Sequence, residues 1–284
     1  MPPVTRRSLL CRAAFAATAG FLRRGSAAPS AYRDRVLAKR PVAFWPLDET
    51  SGPVAHDLGN NARNGDYRGA VAFRQPGPIR GESSAAIGLN GIDACVEVPD
   101  SPLFSQQSSG RGLTVEAWFR PDTLLFAGQT GEHYVHWLGK GQAGEFEWGM
   151  RFYSRNSTRP NRVSAYLWNP SSEPGVPNEG AGAYFEDPLR AGVWIHVVAC
   201  FDPGDARSAL AGVSIYKNAE LRHGPSASRG ARYSSYAIHA RHGSAPLRLG
   251  TRDRGSYLSG ALADVAIYPR VLSAREIRDN YLGA

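Results

Sequence analysis

Between Leu113 and Pro121 the chain alternates with a period of two: Val115, Ala117 and Phe119 fall on one side of an extended backbone, Glu116, Trp118 and Arg120 on the other. Residues 194–201 repeat the pattern, with Ile195, Val197, Ala199 and Phe201 set against Trp194, His196 and Val198. Successive strand residues point to opposite faces, so each run offers one apolar face that must be covered, and the period is not that of a helix. The remainder is built of strand-sized apolar runs broken by Gly, Pro, Asn and Ser, and 31 glycines with 20 prolines supply the punctuation. That is the pattern of an all-β sandwich, two sheets packed about 10 Å apart face to face. No internal repeat or coiled-coil heptad competes with it.

Helices are expected only at the flanks. Residues 32–40 read as a short helix stopped by Pro41, with Val36 and Leu37 as apolar contacts. Near the other end Ser273 stands three residues before Glu276, a capping box, and Leu272 and Ile277 occupy the two positions of a hydrophobic staple. The helix that starts there should pack Ile277 and Tyr281 against the sandwich. Two long polar connections, residues 169–192 and 218–245, are rich in Gly, Pro and Ser. Long loops on a rigid scaffold are where binding specificity tends to reside.

Residues 1–31 stand apart. Arg6 and Arg7 precede a weakly apolar run over residues 13–22, followed by Arg23, Arg24 and small residues up to Ala28. The run is shorter than the ~20 residues that span a bilayer, and paired arginines before a mildly apolar segment are similar to a twin-arginine export signal. The segment is expected to be a cleaved leader, and the chain to be exported by a bacterial cell to the periplasm, the surface or the medium. The sequence carries a net charge of +8, and removing the leader's five arginines, which have no acid among them, leaves +3. A surface so close to neutral is not the basic footprint of a nucleic-acid binder. No transmembrane segment is expected beyond the leader.

Five stretches, in order, resemble one family. Residues 41–52 (PVAFWPLDETSG) are similar to its opening, and residues 89–99 (LNGIDACVEVP) and 113–121 (LTVEAWFRP) to its next strands. Residues 194–199 (WIHVVA) are similar to its Trp-x-His-Val strand, and residues 260–268 with Val271, Leu272, Ser273, Glu276 and Ile277 to its closing strand and helix. The family is that of laminin-G-like, concanavalin A-like lectin/glucanase modules. The resemblance implies a two-sheet antiparallel jelly-roll sandwich with short flanking helices, forming one domain over residues 32–284.

Some members hydrolyse glycosidic bonds with carboxylates in a pattern similar to Glu-x-Asp-x-x-Glu on one strand face. Glu145 and Glu147 share such a face, but the third position falls on Gly149 or Met150, and the acid and nucleophile of retaining hydrolysis are not complete. The pairs His133/His136 and His239/His242 have odd spacing, which on a strand sends the rings to opposite faces and prevents chelation. Many relatives hold one calcium at the sandwich edge, and calcium takes several oxygen ligands; the resemblance implies such a structural ion, for which Asp48, Glu49, Asp57, Asn60 and Asn61 provide oxygens in the opening turn. Where relatives read Gly-x-Ile-Asp-Glu-Val, Ala263 replaces the usual Asp, leaving Asp264 to substitute. Beyond the leader, which holds Cys11, the cysteines are Cys95 and Cys200. In an exported protein they form either a disulfide or two buried thiols on separate strands.

Sugars present C–H faces that stack on flat rings, and hydroxyls that need polar partners. Trp148, Tyr166, Trp168 and Tyr184 lie in or beside strands and long loops, with Tyr166 and Trp168 on one face; Arg252 belongs to the arginine-rich stretch 229–254. The function expected is a non-catalytic binding module for a carbohydrate or glycoconjugate. A protein-interaction or adhesion module with an extracellular protein partner is the alternative, and a glycoside hydrolase or polysaccharide lyase of the glucanase type is third.

Overall fold

The computed structural model describes residue 1 and residues 31–79, 84–105, 112–127, 133–168, 180–202, 212–222, 230–232 and 242–283. The expected leader, His239 and parts of the two long connections lie outside the described residues. Two antiparallel sheets face each other. One orders β14 (Glu220–Leu221), β13 (Gly212–Lys217), β12 (Ile195–Asp202), β7 (Leu113–Pro121), β17 (Ser259–Tyr268), β5 (Ala85–Asn90) and β4 (Ala72–Pro76), and β1 (Ala43–Trp45) also pairs with β17. The other orders β15 (Gly230–Arg232), β11 (Gly180–Phe185), β10 (Val163–Trp168), β9 (Trp148–Tyr153), β8 (Tyr134–Lys140), β16 (Leu247–Leu249), β6 (Cys95–Val98), β3 (Gly65–Arg68) and β2 (Val54–Ala55). Two helices, α1 (Ala31–Ala38) and α2 (Ala274–Tyr281), flank them. Among the described residues no helix is long and apolar enough to cross a membrane.

The alternating runs take the phase expected of them. Val115, Ala117 and Phe119 of β7 and Val197, Ala199 and Phe201 of β12 are fully buried between the sheets, with Val197 opposite Ala117 in the ladder. The facing sheet supplies Trp137, Trp148, Met150, Phe152, Ala165 and Leu167, and Phe119 stacks on Trp137 with ring centroids 4.8 Å apart. Each large apolar side chain buried there contributes roughly 1.5–3 kcal/mol relative to exposure. Trp45 joins the same core and donates its indole N–H to the Arg63 carbonyl at 2.8 Å.

The outward faces of the two sheets differ. On the eight-stranded sheet the helices add a second apolar layer, in which Tyr32, Val36 and Ile277 cover Phe44, Trp118, Val198, Cys200 and Tyr268. Glu116, set on the polar side of β7 by its sequence, is consequently buried as well. Its carboxylate accepts from His196 Nε2 at 2.8 Å, Tyr268 Oη at 2.7 Å, Asn280 Nδ2 at 2.8 Å and Tyr32 Oη at 3.3 Å. Burial pushes this acid up, and those donors more than offset it, so it titrates below the ordinary carboxylate range. Both helices are thereby tied to the sheet through one carboxylate. The capping box of α2 forms as expected, with Ser273 Oγ accepting from the Glu276 N–H at 3.3 Å and Glu276 Oε2 from the Ser273 N–H at 2.9 Å. No helix lies across the nine-stranded sheet among the described residues.

One expectation is corrected, and one open alternative is decided. The long connections are not loops throughout, since β11 lies within residues 169–192 and β14 and β15 within 218–245. Of the two readings left open for Cys95 and Cys200, the structure takes the buried thiols: both are free and buried. Val96 and Val98 of β6 point into the core, so Cys95 points outward from the nine-stranded sheet, while Cys200, between Ala199 and Phe201, points outward from the other sheet toward the helices. Sheets pack about 10 Å apart, and thiols on their opposite outer faces cannot meet the ~4.4–6.8 Å Cα separation of a disulfide.

Candidate functional site

The outer face of the nine-stranded sheet is built on a cross-strand row in which three of five residues are glycines. Gly182 of β11, Tyr166 of β10, Gly149 of β9, Gly139 of β8 and Arg248 of β16 lie opposite one another in register. A Cβ at Gly139 would come within 2.9 Å of Arg252 Cγ, and one at Gly149 within 3.0 Å of Tyr166 Oη. The two glycines therefore form a floor across which Arg252, arriving from the segment after β16, lies flat. Its guanidinium sits 3.9 Å from the centroid of Phe146 and bonds Asp253 at 2.6 Å and the Tyr166 hydroxyl.

Beside it stands a second arginine. Arg151, one position along β9 on the same face, holds its guanidinium 4.2 Å from the Tyr166 ring and 4.8 Å from that of Tyr134. Between the two arginines, His136 is fully buried. Its Nε2 lies 2.9 Å from Tyr166 Oη and 3.2 Å from Arg151 Nε, which donates to it. Burial first, then the charges of Arg252 and Arg151, hold this imidazole well below its ordinary pKa. It is a neutral acceptor: Arg252 donates to Tyr166, Tyr166 to His136, and Arg151 to the same nitrogen. This network locks the floor and leaves rings at the surface.

Those surface rings are half-buried: Tyr134, Phe146, Trp168 and Tyr184, with Arg151 and Arg162 among them. Trp168 stands nearly perpendicular to Phe146, at 89° and 6.4 Å, and to Tyr166, at 80° and 6.0 Å. Arg162 covers Tyr184 at 3.7 Å and is anchored by Glu186 at 2.5 Å. The structure thus brings Tyr166, Trp168, Tyr184 and Arg252 to one face. It removes Trp148, whose strand phase puts the indole in the core, 6.0 Å from Phe201 and donating to the Phe104 carbonyl at 2.8 Å. Tyr166 and Arg252 are themselves almost fully covered and support the face rather than present it. Sequence reasoning missed Tyr134, Phe146, Arg151, Arg162 and the role of His136. The alternation of Arg151 with Met150 and Phe152 on β9 is a signal that would have found Arg151.

The carboxylates do other work. Glu145 and Glu147 precede β9 rather than sharing a strand face: Glu147 is buried against Lys140, and Glu145 bonds the Ser244 hydroxyl at 3.0 Å. Of the acids implied as calcium ligands, Asp57 accepts from the backbone N–H groups of Phe44, Gly59 and Arg63, each at 2.7 Å. Glu49 accepts from Tyr67 Oη at 2.5 Å and from the His56 N–H at 2.7 Å. Asp48 and Asp264 both face Arg33, at 2.7 and 3.5 Å. Burial pushes Asp264 up to about 7, with Arg33 pulling the other way. Among the described residues no three His, Cys, Asp or Glu side chains converge to hold a metal ion, so the four carboxylates do not fit the expected calcium as they stand.

The geometry defines an all-β jelly-roll sandwich with one sheet face covered by helices and the other, among the described residues, free of helices and ring-lined. The sequence profile of the concanavalin A-like lectin/glucanases superfamily matches residues 90–278, and the protein belongs to that superfamily. No curated protein sequence matches it. Among solved structures, the receptor-binding domain of a botulinum neurotoxin C/D mosaic superimposes with a TM-score of 0.56 at 12% identity, over 86% of this chain and 51% of that one. Domain 4 of AbnA, a GH43 extracellular arabinanase from Geobacillus stearothermophilus in complex with arabinotriose, gives 0.54 at 18% identity, over 85% of this chain and 98% of that one. A structure of botulinum neurotoxin type C, whose passage into cells depends on interaction with two ganglioside molecules, gives 0.58 at 10% identity, over 87% and 51%. The chain spans about half the length of the neurotoxin domains it matches, and the likeness is one of fold.

Proposed function

We propose that this protein is an exported, non-catalytic carbohydrate-binding module whose ligand lies across the outer face of the nine-stranded sheet. The observation that carries the reading is the group of half-buried rings, Tyr134, Phe146, Trp168 and Tyr184, interleaved with Arg151 and Arg162 over a locked floor. Rings stack on sugar C–H faces and guanidiniums donate to hydroxyls and carboxylates. The fold it shares with a domain bound to arabinotriose and with a ganglioside-dependent toxin supports a glycan ligand. A binding role is favoured over hydrolysis because the acids beside this face are each held by a donor, Glu145 by Ser244, Glu186 by Arg162 and Asp253 by Arg252. A glycosidase needs two carboxyl groups set across the scissile bond. Export rests on Arg6 and Arg7 before their apolar segment.

A glycan array and affinity electrophoresis in neutral and acidic polysaccharides test the binding reading. Trp168→Ala and Tyr184→Ala should each weaken retention about tenfold, equivalent to ~1.4 kcal/mol, with melting unchanged. A second reading, a module for a protein partner, is favoured by one feature on the opposite side. There a cleft of about 570 Å³ is lined by Pro78, Trp118, Val193, Trp194, Tyr281 and Leu282. An empty array, or equal retention by wild type and both variants, would sink the sheet-face reading and leave the protein-binding one.

A further inference from the structure

The carboxylates that do not fit calcium have an arrangement of their own. Asp264 lies at the irregularity in β17, where the register against β7 shifts between Ala263 and Ala266. Its backbone adopts a left-handed φ of 50°, and its N–H donates to the Pro46 carbonyl at 3.1 Å. The side chain lies against Arg33 of α1. It is 1% exposed, and neither carboxylate oxygen accepts a well-formed hydrogen bond. Such a group is expensive to bury unless a countercharge stands close. That countercharge comes from α1: Arg33 Nε is 3.5 Å from Asp264 Oδ1, and Arg33 Nη1 is 2.7 Å from Asp48 Oδ2. Two carboxylates from separate parts of the chain thus converge on one cation, and that cation is a side chain.

We propose that Arg33 is a built-in replacement for a divalent cation: its guanidinium bridges Asp48 and Asp264, makes the folded domain independent of calcium, and masks a cation site that its removal would uncover. The neighbouring acids explain why the masked site is a weak one. Glu49 is engaged by Tyr67 and His56, and Asp57 by three backbone amides. Two carboxylates and water are a sparse set for calcium, which takes six to eight oxygens, so the uncovered site calls for millimolar ion. The arrangement also couples α1 to the sheet edge, since the helix carrying Arg33 is held one residue earlier by Tyr32 against Glu116. The inference concerns the sandwich edge and does not rest on the glycan reading.

Thermal melting in chelator and in millimolar calcium chloride, at mildly alkaline pH where the carboxylates are charged, tests it. Wild type should melt at the same temperature in both. Arg33→Ala should melt several degrees lower in chelator and recover in calcium, with saturable calcium uptake by calorimetry where wild type shows none. Adding Asp264→Asn to Arg33→Ala should abolish the calcium response. Should Arg33→Ala not fold, Arg33→Gln, which keeps the stem and a donor, is read in the same pair of melts with the same expectation. Calcium stabilisation of wild type would overturn the proposal. So would an arginine variant indifferent to calcium, or a response that survives Asp264→Asn.

Discussion

His136 illustrates how a residue's role can depend on partners far along the chain. In the sequence it is half of a His-x-x-His pair read as lying on one strand, whereas His133 precedes β8 with a left-handed φ of 54°. Nothing local indicates that Arg252 and Tyr166 will meet it, because Arg252 comes from a segment that folds back over Gly139 and Gly149. The pH consequence follows from the suppressed protonation. Folded His136 stays neutral, whereas in the unfolded chain it takes a proton once pH falls below its ordinary value of 6.5. The unfolded state then binds more protons, so stability falls as pH drops through that value and is retained above it. His136→Gln, which cannot titrate, should show a flatter melting profile between roughly pH 7 and 5. Parallel profiles for wild type and variant would mean that His136 is protonated in the folded state.

Among elements, legibility followed alternation. β7 and β12 were readable in phase because Val115, Ala117 and Phe119, and Val197, Ala199 and Phe201, recur at every second residue. β11 was not, because Gly180, Ala181, Gly182 and Ala183 are too uniformly small to show a period of two. It takes its place by pairing with β10, from Gly180 opposite Trp168 to Phe185 opposite Val163. Trp148 was misplaced for a related reason: its flanks, Glu147 and Gly149, carry no apolar phase. α2 was legible through its capping box and staple and α1 through the Pro41 that stops it, yet each has eight residues, short of the ~12–15 at which isolated helices become even marginal. Docking must hold them. Ile277→Ala, which empties a fully buried position under α2, should therefore cost about 2–5 kcal/mol. Ser273→Ala, which removes the cap alone, should cost about 1 kcal/mol. Denaturant unfolding compares them, and an equal or reversed order would show that α2 is held by its cap rather than by packing.

At the scale of the molecule, the covered and open sides divide stability from binding. Apolar layers lie between the sheets and beneath the helices, while the proposed binding rings stand on the remaining face, so ring substitutions should leave melting unchanged. The same layering decides the cysteines. Composition left a disulfide open for a chain expected to be exported, but strand phase points Cys95 and Cys200 away from each other on opposite outer faces. Each is shielded: Cys95 is 1% and Cys200 3% exposed, and burial pushes the Cys200 thiol up to about 12. A thiol needs its thiolate and solvent access to react, so neither should do so in the folded state. The native protein should resist alkylation at both sites, become labelled at both after denaturation, and melt at the same temperature with or without reductant. A reductant-sensitive melt, or denatured protein in which neither cysteine takes the label until reduced, would mean that the strand phase assigned to β6 or β12 is wrong, since a bridge requires at least one sulfur to point inward.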